Sequence, residues 1–592
     1  MNYDLNKASA QQEKLSTLAG LKKLLELIRH EQRILWFALV AILVNSGVNL
    51  VGPLLIGHAI DKYVVPHDYH GVLVYSAILL GMYLCGLAGS YMQTILMGGV
   101  GQRMLYTLRN AIFSKLQHLP VGFFNQNKTG DLISRVNNDT DKINTFFSQS
   151  LMQFIGNLSM MVGAGVFLLC INFKLGLAAI APGAVAWIIT KALSAWVKQK
   201  NAANMKSTGG MSAEIQESLN NFKVIIAFNR RDYFRKRFDD ANKENYKTAI
   251  KAGIANNIFL PIYTLLAGAA QLIVLVYGIY LISVSIPNTP GAFTIGSLIA
   301  YLSYATSFYN PLRQLATLWT TFQTAMAGWD RISTILSLET NLITVEQTTA
   351  ADSDALLEFK DVHFGYPGGS EILHNINFKL EKGKTYALVG PTGGGKTTTA
   401  SLIARLYDPT SGTILLDGKD IRSYEPDTRT QKIGFILQEP FLFTGTVKEN
   451  ILYGNEQYKD YTNEQLEQVI KQSNLESLLA IFENGLETKV LSSGDSISLG
   501  QKQLIAFMRA VLRNPEILIL DEATANIDTV TEQLLSDILK KLPDTTTRVI
   551  IAHRLNTIEN ADEIYFVNSG EVIRAGSLDD AIERLLHGKR VS

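Results

Sequence analysis

Apolar positions in this chain come first as long unbroken runs, and only later in the short strand-and-helix rhythm of a soluble domain. A helix needs about 20 mostly apolar residues to cross a bilayer. Ile34–Ile56, Val72–Met97 and the uncharged run Asn144–Phe173 meet that length. Leu175–Thr190 is shorter but continues through "KALSAW". Ala252–Leu312 contains no Asp, Glu, Lys or Arg and is long enough for two crossings. It is divided at "SVSIPNTPGAF", where two prolines and a glycine favour a turn. Six spans are therefore expected.

Two connecting segments are too long for turns. "LRNAIFSKLQHLPVGFFNQNKTGDLISRVNNDTDKI" joins the second and third spans. "KNAANMKSTGGMSAEIQESLNNFKVIIAFNRRDYFRKRFDDANKENYK" joins the fourth and fifth. Both read as helices with charged faces and lack a dense apolar core of their own. Spans two to five are thus expected to run on beyond the membrane as paired helices. Short connecting helices are expected at the tips, around Phe123–Gly130 and Ser212–Phe222. Upstream, "LAGLKKLLELIRHEQR" is amphipathic, and fits either a membrane-surface helix or one packed on the protein. The preceding "MNYDLNKASAQQEK" lacks the features of a secretory signal.

Charge orients the spans. Lys and Arg accumulate on the cytoplasmic side. "HAIDKYVVPHDYHG" and "NFKLG" carry one lysine each, and "SVSIPNTPGAF" carries none. Arg29, Arg33, Arg103, Arg109, Lys115, Lys198, Lys200, Lys206, Arg230 and Arg231 lie on the other side, so both termini are expected in the cytoplasm. Asn45, Asn49, Gln271 and Arg313 are the polar residues that stand out in the spans. An intramembrane Asn or Gln most often makes a helix–helix hydrogen bond, and Arg313 can snorkel. The formal net charge of +1 implies no general attraction to nucleic acid. The two cysteines, Cys85 and Cys170, sit in apolar runs and are expected as buried free thiols, which excludes a disulfide framework.

From Leu357 onward the pattern is α/β. "TYALVGPTGGGKTTTASLIARLY" is an apolar strand, a glycine-rich loop and a helix. It fits G-x-x-x-x-G-K-[ST] over Gly390, Pro391, Thr392, Gly393, Gly394, Gly395, Lys396 and Thr397, with Thr398 following. Backbone N–H groups of such a loop wrap phosphates, the lysine adds a positive charge, and the threonine hydroxyl reaches Mg²⁺. "NPEILILDEAT" adds a short apolar strand that ends in Asp521, suited to Mg²⁺, followed by Glu522, suited to polarising water as a general base. "RVIIAHRLNTI" is another apolar strand, ending at His553. Active sites gather at this edge of parallel sheets.

These motifs resemble those of an ABC transporter half-subunit of the exporter type. The resemblance covers nearly the whole chain. It implies a cytoplasmic N-terminal segment over 1–33, an α-helical six-span membrane domain with long intracellular helices over 34–329, and a linker over 330–355. An α/β P-loop (RecA-like) nucleotide-binding domain with a helical subdomain would occupy 356–592. It also implies that ATP and Mg²⁺ are bound. By the same likeness Tyr366, in "VHFGYPGG", would stack on adenine. Gln438, in "GFILQEPFLFTGTVKENI", would contact Mg²⁺ and couple to the membrane helices, and His553 would contact the γ-phosphate. Asp528, in "ANID", would lie on the loop crossing between two nucleotide domains. "FFNQNKTGDLISRVNND" is similar to the family's first coupling segment, and the stretch around Glu217 to its second.

The family's signature, Leu-Ser-Gly-Gly-Gln, acts in trans on the partner's ATP. Ser498, Gly500 and Gln501 of "DSISLGQKQ" match it, and Leu499 replaces its first glycine. Glycine permits close backbone approach and positive φ, whereas leucine forbids most such conformations. The segment before it, "VLSSGDS", departs from the family pattern as well. An impaired signature beside an intact P-loop, Asp521, Glu522, Gln438 and His553 favours a heterodimer. This chain then resembles the subunit of bacterial multidrug exporters that keeps the catalytic glutamate. The expected function is ATP-driven export of amphipathic small molecules, drugs, lipids or peptides across the cell membrane. Alternatives are a homodimeric lipid or peptide exporter and, in another class, an ATP-gated channel or sensor. The expected partners are a second half-transporter, membrane lipid and the substrate, with no nucleic acid.

Overall fold

The computed structural model describes residues 3–5, 31–284, 293–339, 342, 344–346, 355–491, 497–521, 529–551, 561–575, 579–580 and 583. The amphipathic segment before Glu31, most of the "SVSIPNTPGAF" turn, Glu522, Asp528, His553 and the Arg313 side chain lie outside them. Contacts divide the chain into two units, one drawn from 11–114 and 130–336, the other from 1–10, 115–129 and 337–592.

In the first unit the long apolar runs are helices. These are α1 (Gln32–Ala59, continued by a π-turn over Ile60–Val64) and α2 (Tyr69–Gln117), whose last residues belong to the second unit. After the short α3 (Val121–Gln126), also of the second unit, come α4 (Thr129–Ile171) and α5 (Phe173–Asn220). The tip helix α6 (Phe222–Ala227), then α7 (Arg231–Asn257), α8 (Phe259–Val284) and α9 (Ile295–Leu336) complete the set. Among the described residues five helical runs are long and apolar enough to cross a membrane, and α9 follows them as a sixth long helix. The 49 residues of α2 extend ~70 Å at ~1.5 Å each, more than twice a ~30 Å hydrocarbon core. Side chains beyond the apolar windows tie the helices in pairs. Arg237 of α7 reaches Glu214 and Glu217 of α5 at 2.7 and 3.2 Å. Asn201 and Asn256 exchange amide hydrogen bonds of 2.8 and 3.0 Å.

The expected tip helix at Ser212–Phe222 is displaced. Nothing in Ser212–Asn220 breaks a helix, so α5 runs through it, and the chain turns at Asn221. α9 likewise runs on into the expected linker as far as Leu336. Cys85 and Cys170 are free but exposed, not buried. Apolar character in a spanning helix reflects what surrounds it, so it does not imply burial within the chain; only 11% of the apolar window of α2 is buried. Asn49 donates to the Asn45 carbonyl and side chain within its own helix, at 2.8 and 3.0 Å. Gln271 donates across to Thr306 at 3.0 Å.

One polar cluster in this unit falls partly in the segment similar to the first coupling segment, but its pairing with α9 had no sequence signal. Arg135 is 2% exposed, pairs with Asp131 at 3.0 Å and donates to the Arg331 carbonyl at 2.8 Å. Asp139, with no exposed surface, pairs with Lys142 at 2.8 Å and Arg331 at 3.3 Å. Buried charges persist when paired and hydrogen-bonded, and here they fasten α4 to α9.

Among its described residues the second unit holds two large sheets and a two-stranded one. β1 (Ala355–Gly365), β2 (Glu371–Glu381), β4 (Ser411–Leu416) and β5 (Lys419–Asp420) form an antiparallel sheet in the order β2-β1-β4-β5. β3 (Thr385–Val389), β6 (Ile433–Ile436), β9 (Ile517–Asp521), β10 (Thr547–Ile551), β11 (Glu563–Asn568) and β12 (Glu571–Ala575) form the other, in the order β12-β11-β3-β10-β9-β6. β7 (Gly445–Thr446) and β8 (Lys489–Val490) pair separately. The six-stranded sheet is parallel except for β12. Its central strands are buried on both faces, which is why they read as unbroken apolar runs. Ile517 and Ile519 join the core shared with the antiparallel sheet, and Leu518 and Leu520 the core under the helical part of the unit.

Candidate functional site

The glycine-rich loop leaves β3 at its C-terminal edge and enters α10 (Lys396–Ile403). Gly390 and Gly395 have φ of +154° and +112°. A Cβ at Gly390 would collide with the Val567 carbonyl, and one at Gly395 would lie 2.7 Å from Leu373 Cδ2. Only glycine fits both positions, so the loop stays close to the sheet. Pro391 accepts from Gly394 N–H at 3.1 Å, and Thr392 and Gly393 form the exposed crown. Lys396 is 5% exposed; its Nζ donates to the Gly390 and Pro391 carbonyls at 2.9 and 3.1 Å.

β9 pairs in parallel with β10, which pairs with β3, and this order delivers Asp521 to the same edge. The Thr397 hydroxyl donates to Asp521 Oδ1 at 3.2 Å. A hydroxyl and a buried carboxylate at that spacing are hard oxygen donors, a set that fits Mg²⁺.

Tyr366 follows β1 and is half-buried. Its hydroxyl shares a 3.2 Å hydrogen bond with Thr398, and its ring meets Tyr407 edge-on with centroids 5.1 Å apart. Tyr407 in turn accepts from Asn125 Nδ2 at 2.7 Å. Burial raises the Tyr407 hydroxyl pKa above its ordinary value, and the Asn125 bond offsets this in part. Asn125 lies on α3, which covers part of the expected Phe123–Gly130; the chain enters it at Pro120. Gln126 Nε2 donates to the Pro367 carbonyl at 3.0 Å. The described N-terminal residues strap the same helix. Tyr3 and Leu5, 1% and 0% exposed, donate backbone N–H groups to Gln126 Oε1 at 2.8 Å and Asn127 Oδ1 at 3.2 Å. Tyr407 and Tyr3 carry no motif, so sequence reading missed them; Asn125 falls in the segment similar to the first coupling segment, but its contact with Tyr407 has no sequence signal.

Ser498 caps α11 (Leu499–Val511) with a capping box. Its Oγ accepts from Gln501 N–H at 3.1 Å, and its N–H donates to Gln501 Oε1 at 2.9 Å. Gly500 is buried in the first turn. Leu499 is the first helical residue and takes ordinary helical backbone. The conformational penalty expected for leucine there is absent, because this position does not use positive φ. What remains is its side chain, 40% exposed at the helix N-terminus. Further along, Gln503 Nε2 donates to the carbonyl of exposed Gln438 at 2.9 Å. Arg509, its pKa lowered by burial, donates to the Phe441 carbonyl at 3.1 Å and the Asn450 carbonyl at 2.8 Å. Gln503 and Arg509, also unmarked by any motif, connect α11 with the loop after β6.

A glycine-rich P-loop motif on a parallel sheet, in one chain with helices long and apolar enough to cross a membrane, points to a membrane protein that uses a nucleoside triphosphate. Residues 35–312 match the ABC transporter transmembrane region, and residues 373–525 match the ABC transporter family. The "Uncharacterized ABC transporter ATP-binding protein YfiC" of Bacillus subtilis (strain 168) is 32% identical over 96% of this chain and 93% of its own length. A "Fatty acid ABC transporter ATP-binding/permease protein" of Mycobacterium bovis is 30% identical over 91% of this chain and 82% of its own. A "Multidrug resistance ABC transporter ATP-binding and permease protein" of Lactococcus lactis subsp. lactis is 30% identical over 97% and 96%. The chain belongs to the ABC transporter family, as an exporter-type half-transporter. It is a multi-pass membrane protein that hydrolyses ATP to drive export, and it works as part of a dimer.

Proposed function

We propose that this chain is the catalytic-glutamate-bearing half of a heterodimeric exporter of amphipathic small molecules. The observation that carries the reading is an asymmetry within one chain. Lys396, Thr397 and Asp521 are assembled at one sheet edge, while the N-terminus of α11 carries Leu499. Nucleotide phosphates would lie on the Gly390–Lys396 amides and the Lys396 ammonium, released from its two carbonyls, with Tyr366 against the adenine. Thr397, Asp521 and Gln438 would hold Mg²⁺, which neutralises charge building on the phosphate oxygens. Glu522 would orient and deprotonate the attacking water, and His553 would contact the γ-phosphate. Ser498, Leu499, Gly500 and Gln501 would face the partner's nucleotide, with Asp528 on the crossing loop.

The substrate class rests on two supports. Relatives are named for multidrug resistance and for fatty acids. The membrane unit also contains an apolar cavity of about 420 Å³, lined by Leu35, Phe146, Met152, Leu318, Trp319 and Phe322. α9 is taken as the sixth span, and both termini as cytoplasmic in a bacterial cell membrane.

The test is ATPase activity and ATP-dependent accumulation of a fluorescent amphiphile in inverted vesicles. The chain alone is compared with the chain co-expressed with a half-transporter carrying an intact signature. The reading requires strong activity only in the pair, lost on Glu522→Gln in this chain. Equal activity from the chain alone would overturn the heterodimer, and ATP-gated ion conductance without accumulation would overturn the exporter.

A further inference from the structure

The hairpin β1–β2 gathers three metal-ligating side chains outside the residues assigned above. His363 lies on β1, and Glu371 and His374 on β2. Residues three apart on a regular strand point to opposite faces. Here the pairing shifts register between Phe364↔Leu373 and Gly365↔Glu371, so β2 bulges between Glu371 and Leu373. Such a bulge re-aims side chains, and it brings Glu371 to the side shared by both histidines. His363 Nδ1 lies 2.5 Å from Glu371 Oε1, and His374 Nδ1 lies 3.5 Å from Glu371 Oε2. The ligating atoms of the three residues are all within 4.8 Å of one another. His374 is also fixed from outside the hairpin. Its N–H donates to the Gly570 carbonyl at 2.8 Å, and its Cδ2 lies 2.6 Å from where a Cβ on Gly570 would be.

The geometry points to a binding site for a divalent transition-metal ion, Zn²⁺ in first place, formed by His363, Glu371 and His374. Two imidazole nitrogens and one carboxylate are borderline donors that suit Zn²⁺, Ni²⁺ or Cu²⁺ rather than Mg²⁺ or Ca²⁺. Tetrahedral Zn²⁺ with bonds of ~2.0–2.1 Å separates its ligands by roughly 3.4 Å. The two separations above bracket that value, and all three side chains are partly exposed, so rotation about their own bonds closes the site. Water supplies the remaining position. The bound ion would join both strands at the base of the turn that carries Tyr366 and Pro367. This assignment does not depend on the role of Tyr366 toward nucleotide.

The test uses the full-length chain in detergent, tag removed and chelator-stripped, titrated with Zn²⁺ alone and with Co²⁺ as a spectroscopic probe. One ion per chain is expected, with Co²⁺ bands of nitrogen–oxygen coordination. His363→Ala with His374→Ala should weaken binding at least tenfold, and Glu371→Gln should weaken it less. Zn²⁺ should slow amide exchange across residues 363–376 in the parent and leave the double variant unchanged. Binding of equal affinity in the double variant, or no Co²⁺ spectrum in the parent, would overturn the site. ATP affinity is not the readout, so failure of the nucleotide assignment stays distinguishable.

Discussion

Replacing Leu499 by glycine separates a steric obstruction from a tolerated substitution. Leu499 begins α11 in helical conformation with 40% of its surface exposed. Glycine would forfeit ~1 kcal/mol of helix propensity. It would also lose about half of the ~1.5–3 kcal/mol that a fully buried leucine contributes. The domain should therefore lose about 2 kcal/mol, or about 4–8 °C in Tm for a unit of this size. Turnover should move the other way. If the leucine side chain keeps the α11 amides from the facing γ-phosphate, restoring one hydrogen bond to a charged group is worth ~1.5–3 kcal/mol, or roughly 10- to 100-fold in rate. The chain studied alone gives the clearest assay, because a homodimer sets Leu499 against two sites that keep their own glutamate. ATPase at saturating nucleotide should rise at least about tenfold in Leu499→Gly while Tm falls. The gain should vanish in a Glu522→Gln background. A fall in Tm with turnover within about twofold of the parent would show that the side chain obstructs nothing, and the argument for an unlike partner would fail with it.

Other outcomes follow from the same geometry. Asp521→Asn should raise the Mg²⁺ concentration needed for half-maximal ATPase, and with Thr397→Ala should lower turnover by about 10²-fold or more, read from Mg²⁺ titrations of the purified chain. Asn125→Ala removes the 2.7 Å bond to the Tyr407 hydroxyl, leaving a buried polar group short of a partner at a cost of about 1–3 kcal/mol. Substrate moved per ATP hydrolysed in vesicles should fall more than ATPase itself. Tyr3→Ala should loosen the N-terminal strap, because it removes a buried ring that packs edge-on against Phe123 of α3. Hydrogen exchange should quicken at residues 121–127 and stay unchanged along β3 and β9.

What could be read from sequence was chemistry fixed by short spacing. A phosphate loop must bring glycines, Lys396 and Thr397 together within a few residues, and a parallel sheet presents Asp521 at the same edge, so two separately legible motifs meet across 124 residues. The membrane helices were legible for a similar reason, since crossing a bilayer demands apolar length whatever the helix touches. The tip of α5 was misplaced because nothing between Ser212 and Asn220 breaks a helix, so α5 runs on to the turn at Asn221. The buried pairs around Arg135 and Asp139 were illegible in principle. A charged residue on a helix face reads as solvated until a second helix arrives, and Arg331 comes from far along the chain. In the line from Asn125 through Tyr407 to Tyr366 and Thr398, motifs mark Tyr366, Thr398 and the segment of Asn125, but nothing marks Tyr407 or the contacts that join them. Local patterns therefore announced the groups assigned to phosphate and metal, and long-range packing supplied the groups that hold α3 against the Tyr366 turn. Coupling between transport and hydrolysis should accordingly be sensitive to unmarked residues such as Tyr407 as well as to the coupling segments, and hydrolysis itself to the residues of the phosphate and metal motifs.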